Sequence, residues 1–431
     1  MKLRKATNRA DVCGICMTRS KLMIAALALA TLPGTALRGA ETNAVEPPCT
    51  IAAGVSQPTP VPQAILQAVQ SLIQIRIYGF VRLDASYDTT RAQPGDKINY
   101  VLPKVNGEDD NEFNMTARYT RLGIELKGPD IGSTKIGGKL ETDFDSGSSS
   151  VSPNMRLRLA YLELVNENIG SLRAGQDWDT FMTVSPREVD TGGLQYQGAL
   201  GHRRPQLRLI RDIKLAEHTL LVAKVAAART VGEDRDTGGQ DDGSDAGFPT
   251  IQGNLCLETR LLTEKPTKIS ISGHFGTEKL DASTNGTVMA TDVDTYHTYS
   301  VIGSLVFPIH SRVSLHGTIW QGENLDAYYG GIGQGINTKL NTGIAAKGGW
   351  AQILVNITRQ LNWNIGYGLD LPDDSDLNAK DRSRNEIIFM CLFYTVKPVT
   401  FSVQYSNAKT CYKDADSSTD NRFQGAVCYT F

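Results

Sequence analysis

The chain is poor in what builds helical cores, metal centres and hydrolase sites. Past residue 40 no stretch approaches the ~18 consecutive apolar residues that a membrane-spanning helix needs. Only 4 tryptophans, 8 methionines and 6 histidines occur in 431 residues. The histidines, at 202, 218, 274, 297, 310 and 316, show no metal-ligand spacing. No Ser/His/Asp set has the context of a nucleophile elbow, which argues against a hydrolase. The glycine-rich run 330–335 (GGIGQG) lies in a long gap and does not open a helix after a strand, so a dinucleotide site is not expected. Asp234, Asp236, Asp241 and Asp242 lack a complete EF-hand pattern and read as a solvated loop. Neither an enzyme, nor a metal, nor a cofactor is expected.

Charge is nearly balanced, with 44 Lys and Arg against 46 Asp and Glu, net −2. Residues 1–40 hold seven bases (Lys2, Arg4, Lys5, Arg9, Arg19, Lys21, Arg38) and one acid, Asp11, so their removal leaves net −8. That balance speaks against a nucleic-acid partner. Removal is expected because Lys21 precedes an apolar run over 22–32, too short to span a membrane, with small residues at Gly34, Ala36, Gly39 and Ala40 beyond it. The basic segment before Met17 is long for a signal peptide, and Met17 reads as the initiator. Cys13 and Cys16 fall within the removable segment, and Cys49 lacks lipoprotein context. Cys256, Cys391, Cys411 and Cys428 remain; an oxidising periplasm allows a disulfide among the last three, with no pairing fixed by spacing.

What is abundant is turn and strand chemistry: 41 glycines and 15 tyrosines, with 40% hydrophobic residues and mean hydropathy −0.24. Residues 41–62 form a Pro- and Ala-rich linker. Ile65, Leu66, Val69, Leu72 and Ile73 then share one helical face, giving a short periplasmic helix that either packs on its own protein or self-associates. From Ile75 onward the period becomes 2. In 75–87 the odd positions are Ile, Ile, Gly, Val, Leu, Ala, Tyr, while the even ones include Arg76, Arg82, Asp84 and Ser86. In 361–369 Leu, Trp, Ile, Tyr and Leu alternate with Asn362, Asn364, Gly366 and Gly368. The segment 386–396 is apolar on both faces, as for a strand with lipid outside and a plug or loop inside. About sixteen such strands lie between gaps that alternate strictly between short and long, the long ones including 278–294 and 410–420. Short periplasmic turns and long extracellular loops are the pattern of an all-β transmembrane antiparallel barrel over 74–431 in a Gram-negative outer membrane. Strands can cross hydrocarbon only when closed without an edge, and at this number the interior is a water channel. At the C-terminus Phe423, Val427, Tyr429 and Phe431 share a face; this resembles the signature read by the barrel-assembly machinery.

Four segments carry a family resemblance: 120–127 (TRLGIELK), 139–144 (KLETDF), 157–164 (LRLAYLEL) and 172–181 (LRAGQDWDTF), completed by 203–208 (RRPQLR). In order and spacing over about 75–215 they are similar to the DcaP-like trimeric outer-membrane porins. The resemblance implies a homotrimer, a constricted pore and passage of small anionic solutes such as dicarboxylates, and it relates the 61–73 helix to a longer periplasmic coiled coil. Asp177 and Asp179 flank Trp178 where that family implies uncharged residues.

The polar faces of the first six strands carry Arg76, Arg82, Arg121, Arg156, Arg158, Arg173, Arg204 and Arg208, with Lys135 and Lys139, whereas acids are expected to collect in long loops such as 108–110, 233–236, 373–374 and 414–416. A guanidinium wall along a narrow aqueous path raises the local anion concentration and holds carboxylates reversibly. Alternatively, these arginines neutralise acids across the lumen. The gap 181–202, rich in glycine, is read as a constriction loop with Arg187, Glu188 and Asp190 at its tip, or as an ordinary exposed loop. Two functions follow: a channel for small hydrophilic anions, set in lipid and lipopolysaccharide, or a structural or adhesive barrel whose acidic loops bind partners.

Overall fold

The computed structural model describes residues 73–146, 152–232, 242–284 and 287–431. The export segment with Met17, the linker, the helix up to Leu72 and the acidic 233–236 stretch lie outside the described residues. The first half of the chain contributes β1 (Gln74–Asp88), β2 (Ala92–Pro94), β3 (Ile98–Val101), β4 (Glu112–Thr116), β5 (Arg121–Lys127), β6 (Thr134–Ser146), β7 (Asn154–Asn166), β8 (Gly170–Trp178), β9 (Arg203–Ala216) and β10 (Thr219–Ala228). The second half adds β11 (Thr250–Thr259), β12 (Thr267–Thr284), β13 (Thr287–His310), β14 (Val313–Glu323), β15 (Ile336–Asn337), β16 (Thr342–Gly343), β17 (Ala345–Asn356), β18 (Leu361–Pro372), β19 (Arg382–Val396), β20 (Val399–Tyr412) and β21 (Ala415–Thr430).

Seventeen of these strands join one sheet, and the pairs β2–β3 and β15–β16 stand apart. β4 and β5 both pair with β1, Asp88 opposite Glu112 and Gln74 opposite Lys127, so they are two halves of one stave broken at 117–120. The described residues therefore form a sixteen-stave antiparallel barrel. It closes where β1 meets β21, from Phe80 opposite Thr430 to Asp88 opposite Arg422. Phe431 extends this seam, its N–H donating to Gly79 O at 3.0 Å and its carbonyl accepting from Gly79 N at 3.2 Å. A Cβ at Gly79 would sit 2.3 Å from Arg121 O, so the β1–β5 ladder beside the seam needs glycine there. Closure gives every strand of the barrel a neighbour on both sides, the condition for crossing hydrocarbon. Among the described residues no helix is long and apolar enough to cross a membrane.

The period-2 pattern becomes an outer apolar belt and an inner polar wall. On β1, Ile75, Ile77, Val81 and Leu83 are exposed on the outside while Asp84, Ser86 and Asp88 are buried on the inside. The same alternation places Phe401, Val403 and Phe423 outside and Gln404, Ser406 and Arg422 inside. On β19 both faces are apolar for the reason anticipated: Ile388, Met390 and Leu392 face out, while Ile387, Phe389 and Cys391 are buried inside. Those three join a cluster with Ile98 and Val101 of β3 and Val189 and Leu194 of the 179–202 loop. The four described cysteines are unpaired.

Two expected long loops are strands instead. β12 runs to Thr284 and β13 starts at Thr287, so most of 278–294 is paired. β20 and β21 pair through Tyr412 and Ala415, leaving Lys413 and Asp414 as the turn; Asp414 has φ 54°. A spanning strand needs only ~9–11 residues, so these hairpins continue beyond the apolar belt, where polar side chains on both faces erase the alternation.

Candidate functional site: an arginine wall facing an inward loop

Three of the connections at the long-loop end fold into the barrel. Residues 179–202, between β8 and β9, reach furthest. Near the loop's start Asn254 Nδ2 donates to Phe181 O at 3.2 Å, and Thr183 and Ser270 hydroxyls lie 2.7 Å apart. The loop then crosses the lumen: Arg187 N donates to Gln352 Oε1 at 2.9 Å, and Val189 N and Asp190 N share Gln404 Oε1 at 2.6 and 3.1 Å. Fully buried Arg422 anchors Asp190 at 3.0 Å and pairs with Asp88 at 2.5 Å. The Trp320 indole donates to Gly198 O at 2.7 Å. Residues 89–111 lie over β19–β21, with Val101 N donating to Thr410 Oγ1 at 2.8 Å and Asn385 Nδ2 to Asn99 O at 2.7 Å. The 324–344 connection packs Tyr328 against His274, ring centroids 3.9 Å apart.

These loops fill one side of the lumen and leave a cavity of about 450 Å³ against the other. Its wall carries Arg82, Arg121, Arg156, Arg158 and Arg203 from the barrel and Lys97 from the 89–111 loop. The 179–202 loop faces them with Arg187, Glu188 and Asp190. Seven bases thus meet three acids, Asp145 being the third. Burial, and secondarily the Asp190 carboxylate, raise the Glu188 carboxyl well above its ordinary range, which weakens the negative charge the loop presents. Trp178, Trp320 and Trp350 also border the cavity.

Of the residues singled out from the sequence, the structure gathers Arg82, Arg121, Arg156, Arg158, Arg187, Glu188 and Asp190 around this cavity. Arg76 lies apart at the short-turn end, its side chain 72% exposed and 3.3 Å from Glu125. Arg173 and Arg208 converge on Asp177, at 2.6 and 3.0 Å, away from the cavity lining. Arg204 is fully buried, paired with Asp179 at 2.8 Å under the Tyr328 ring. Asp177 and Asp179 thus complement arginines on the same wall.

The expectation that acids gather in loops needs correction. Glu125, Glu141, Asp143, Asp145, Glu163 and Asp177 lie on the strands among the arginines. Arg158 bonds Glu141 at 2.8 Å and Asp143 at 2.7 Å; Arg156 bonds Asp143 at 2.7 Å and Asp145 at 2.8 Å. Arg121 approaches Glu141 at 3.7 Å, and Arg118 spans Asp96 and Asp145 at 2.5 and 3.1 Å. Lys97 also reaches Asp145, at 3.2 Å. Five cations share four acids, so the wall is a cross-linked network with a cationic excess. Charge-assisted pairs of this kind fix guanidinium orientation.

Sequence reasoning missed Arg203, Lys97 and the three tryptophans. Strict alternation along β9 assigns Arg204, Gln206 and Arg208 to the lumen and Arg203 to the outside. As the first residue of the strand, Arg203 turns inward and is 7% exposed. Lys97 lies in a loop with no periodicity to read.

A closed sixteen-stave barrel with an apolar outer belt, a charged inner wall and an inward loop is a transmembrane barrel of the outer-membrane channel fold. The chain superposes on the outer membrane channel DcaP of Acinetobacter baumannii with TM-score 0.67 at 23% identity, covering 84% of this chain and 98% of that one. OmpF of Salmonella typhi, in complex with daunomycin, gives TM-score 0.56 at 12% identity over 84% and 99% of the two chains. An anion-selective porin from Comamonas acidovorans gives 0.54 at 12% over 83% and 100%. No family profile and no curated protein sequence matches the chain.

Proposed function

We propose that this protein is an outer-membrane porin, working as a homotrimer, that lets small hydrophilic anions of the dicarboxylate type diffuse into the cell without catalysing a reaction. The observation that carries the reading is the cationic excess around the cavity, seven bases against three acids. A sphere of about 450 Å³ has a radius of about 5 Å, inside the ~8 Å over which physiological salt screens charge. An anion passing through therefore feels the wall. At an effective dielectric near 20 a carboxylate ~4 Å from a guanidinium gains on the order of 4 kcal/mol before desolvation offsets most of it. That is enough to concentrate anions without trapping them. Arg187, Glu188 and Asp190 act as the constriction in this reading, Gln352 and Gln404 holding their loop across the lumen. The likeness of fold to a protein described as an anion-selective porin agrees with it.

Proteoliposome swelling tests the reading. Succinate is expected to enter faster than a neutral sugar of similar size, and faster than a diamine. Equal rates for all three would leave a non-selective pore. No swelling with any of them would favour the structural or adhesive barrel. Light scattering in mild detergent is expected to give about three times the monomer mass.

A further inference from the structure

Each arginine of the wall described above has a carboxylate or a carbonyl partner, with one exception. Arg203 is 7% exposed, makes no ion pair among the described residues, and its Nη1 has no hydrogen-bond acceptor. What holds it is the face of Trp178, with the guanidinium carbon 4.8 Å from the ring centroid. Arg158 lies over the same ring at 5.8 Å. Arg203, Trp178, Arg156 and Arg158 all border the cavity. A buried guanidinium with no carboxylate partner is destabilising unless something supplies an opposite charge. Its planar fork fits a carboxylate or another flat oxyanion.

We propose that Arg203 is the docking residue for the permeating anion: it borders the cavity with no carboxylate of its own to neutralise it, and Trp178 keeps the guanidinium flat against the wall. Arg156 and Arg158, already committed to Glu141, Asp143 and Asp145, set the field around the site but do not bond the solute in its place. The inference rests on the anion-channel reading and adds a saturable step to it: one oxyanion occupies Arg203 at a time. Transport should then plateau with solute concentration, and a dicarboxylate should briefly block the small-ion current.

The test uses the full-length mature protein in planar bilayers carrying KCl, with sodium succinate added as blocker. The unmodified channel should show concentration-dependent flicker block by succinate. In Arg203→Gln the concentration needed for half-block should rise at least tenfold, and Arg203→Lys, which restores the charge without the fork, should recover only part of it. Because Arg203 has no ion-pair partner to orphan, Arg203→Gln should unfold at the same temperature as the unmodified barrel or higher. An anion-selective channel that succinate blocks equally before and after Arg203→Gln, or that succinate does not block at all, overturns the docking role and leaves the channel reading intact. A marked loss of thermal stability in Arg203→Gln would instead make the residue structural. A cation-selective unmodified channel would sink the underlying reading itself.

Discussion

Arg158→Gln separates the stability of the arginine wall from the selectivity proposed for it. Arg158 is buried and bonds Glu141 and Asp143 at 2.8 and 2.7 Å. Breaking a buried pair that leaves its partner alone costs about 3–5 kcal/mol. Here the partners are not left alone: Asp143 keeps Arg156 at 2.7 Å, and Glu141 keeps the Tyr78 hydroxyl at 2.9 Å and Arg121 at 3.7 Å. The expected loss is therefore smaller, about 1–3 kcal/mol, the range for unmade hydrogen bonds to buried groups. For selectivity, one unit charge acting through water on an ion ~8 Å away contributes about 0.5 kcal/mol, and screening at physiological salt cuts this to about 0.2. The sign is opposite for anions and cations, so the difference doubles. The anion-to-cation permeability ratio should fall by about two- to fivefold, with the larger figure at low salt. The assay is the reversal potential across a KCl gradient for the unmodified, Arg158→Gln and Arg158→Lys channels. Lys should restore the ratio but not the thermal stability, since it cannot bridge two carboxylates as the fork does. A ratio unchanged in Arg158→Gln at low salt would refute the reasoning, because the wall would then exert no field on the permeating ion.

Other outcomes follow from the same geometry. Gln404 Oε1 accepts both Val189 N and Asp190 N, so Gln404→Ala leaves two loop amides unpaired, at about 1–3 kcal/mol each; the 179–202 loop should loosen and single-channel conductance should rise, and an unchanged conductance would mean the loop does not restrict the path. Deleting Phe431 removes both hydrogen bonds to Gly79 at the closing seam, and heat-modifiable barrel should fall sharply in outer-membrane fractions; a normal yield would show that the seam closes without it.

The barrel was legible because lipid on one side and water on the other force strict alternation, and that contrast survives wherever a strand lies within the apolar belt. Even the exception on β19 was readable, since a loop inside the barrel is the one way to bury Ile387, Phe389 and Cys391 opposite Ile388 and Met390. Legibility ended where the contrast did. Beyond the belt the extensions of β12, β13, β20 and β21 carry mostly polar residues at both parities, so paired strands read as loops. The site was half readable. Parity found the inward arginines of β1, β5 and β7, but a residue's face does not reveal its partner across the wall. Glu141, Asp143 and Asp177 alternate with apolar residues just as the arginines do, and only the register of neighbouring strands brings them together. Arg203 escaped because the first residue of a strand need not obey the alternation of the rest.

Whether an open, anion-favouring pore runs beside the inward loop is decided by single-channel recording of the unmodified protein under a KCl gradient. An anion-favouring pore gives stepwise openings with a reversal potential displaced toward the chloride equilibrium value. Openings that reverse toward the potassium value, or a barrel that inserts and never conducts, would contradict it.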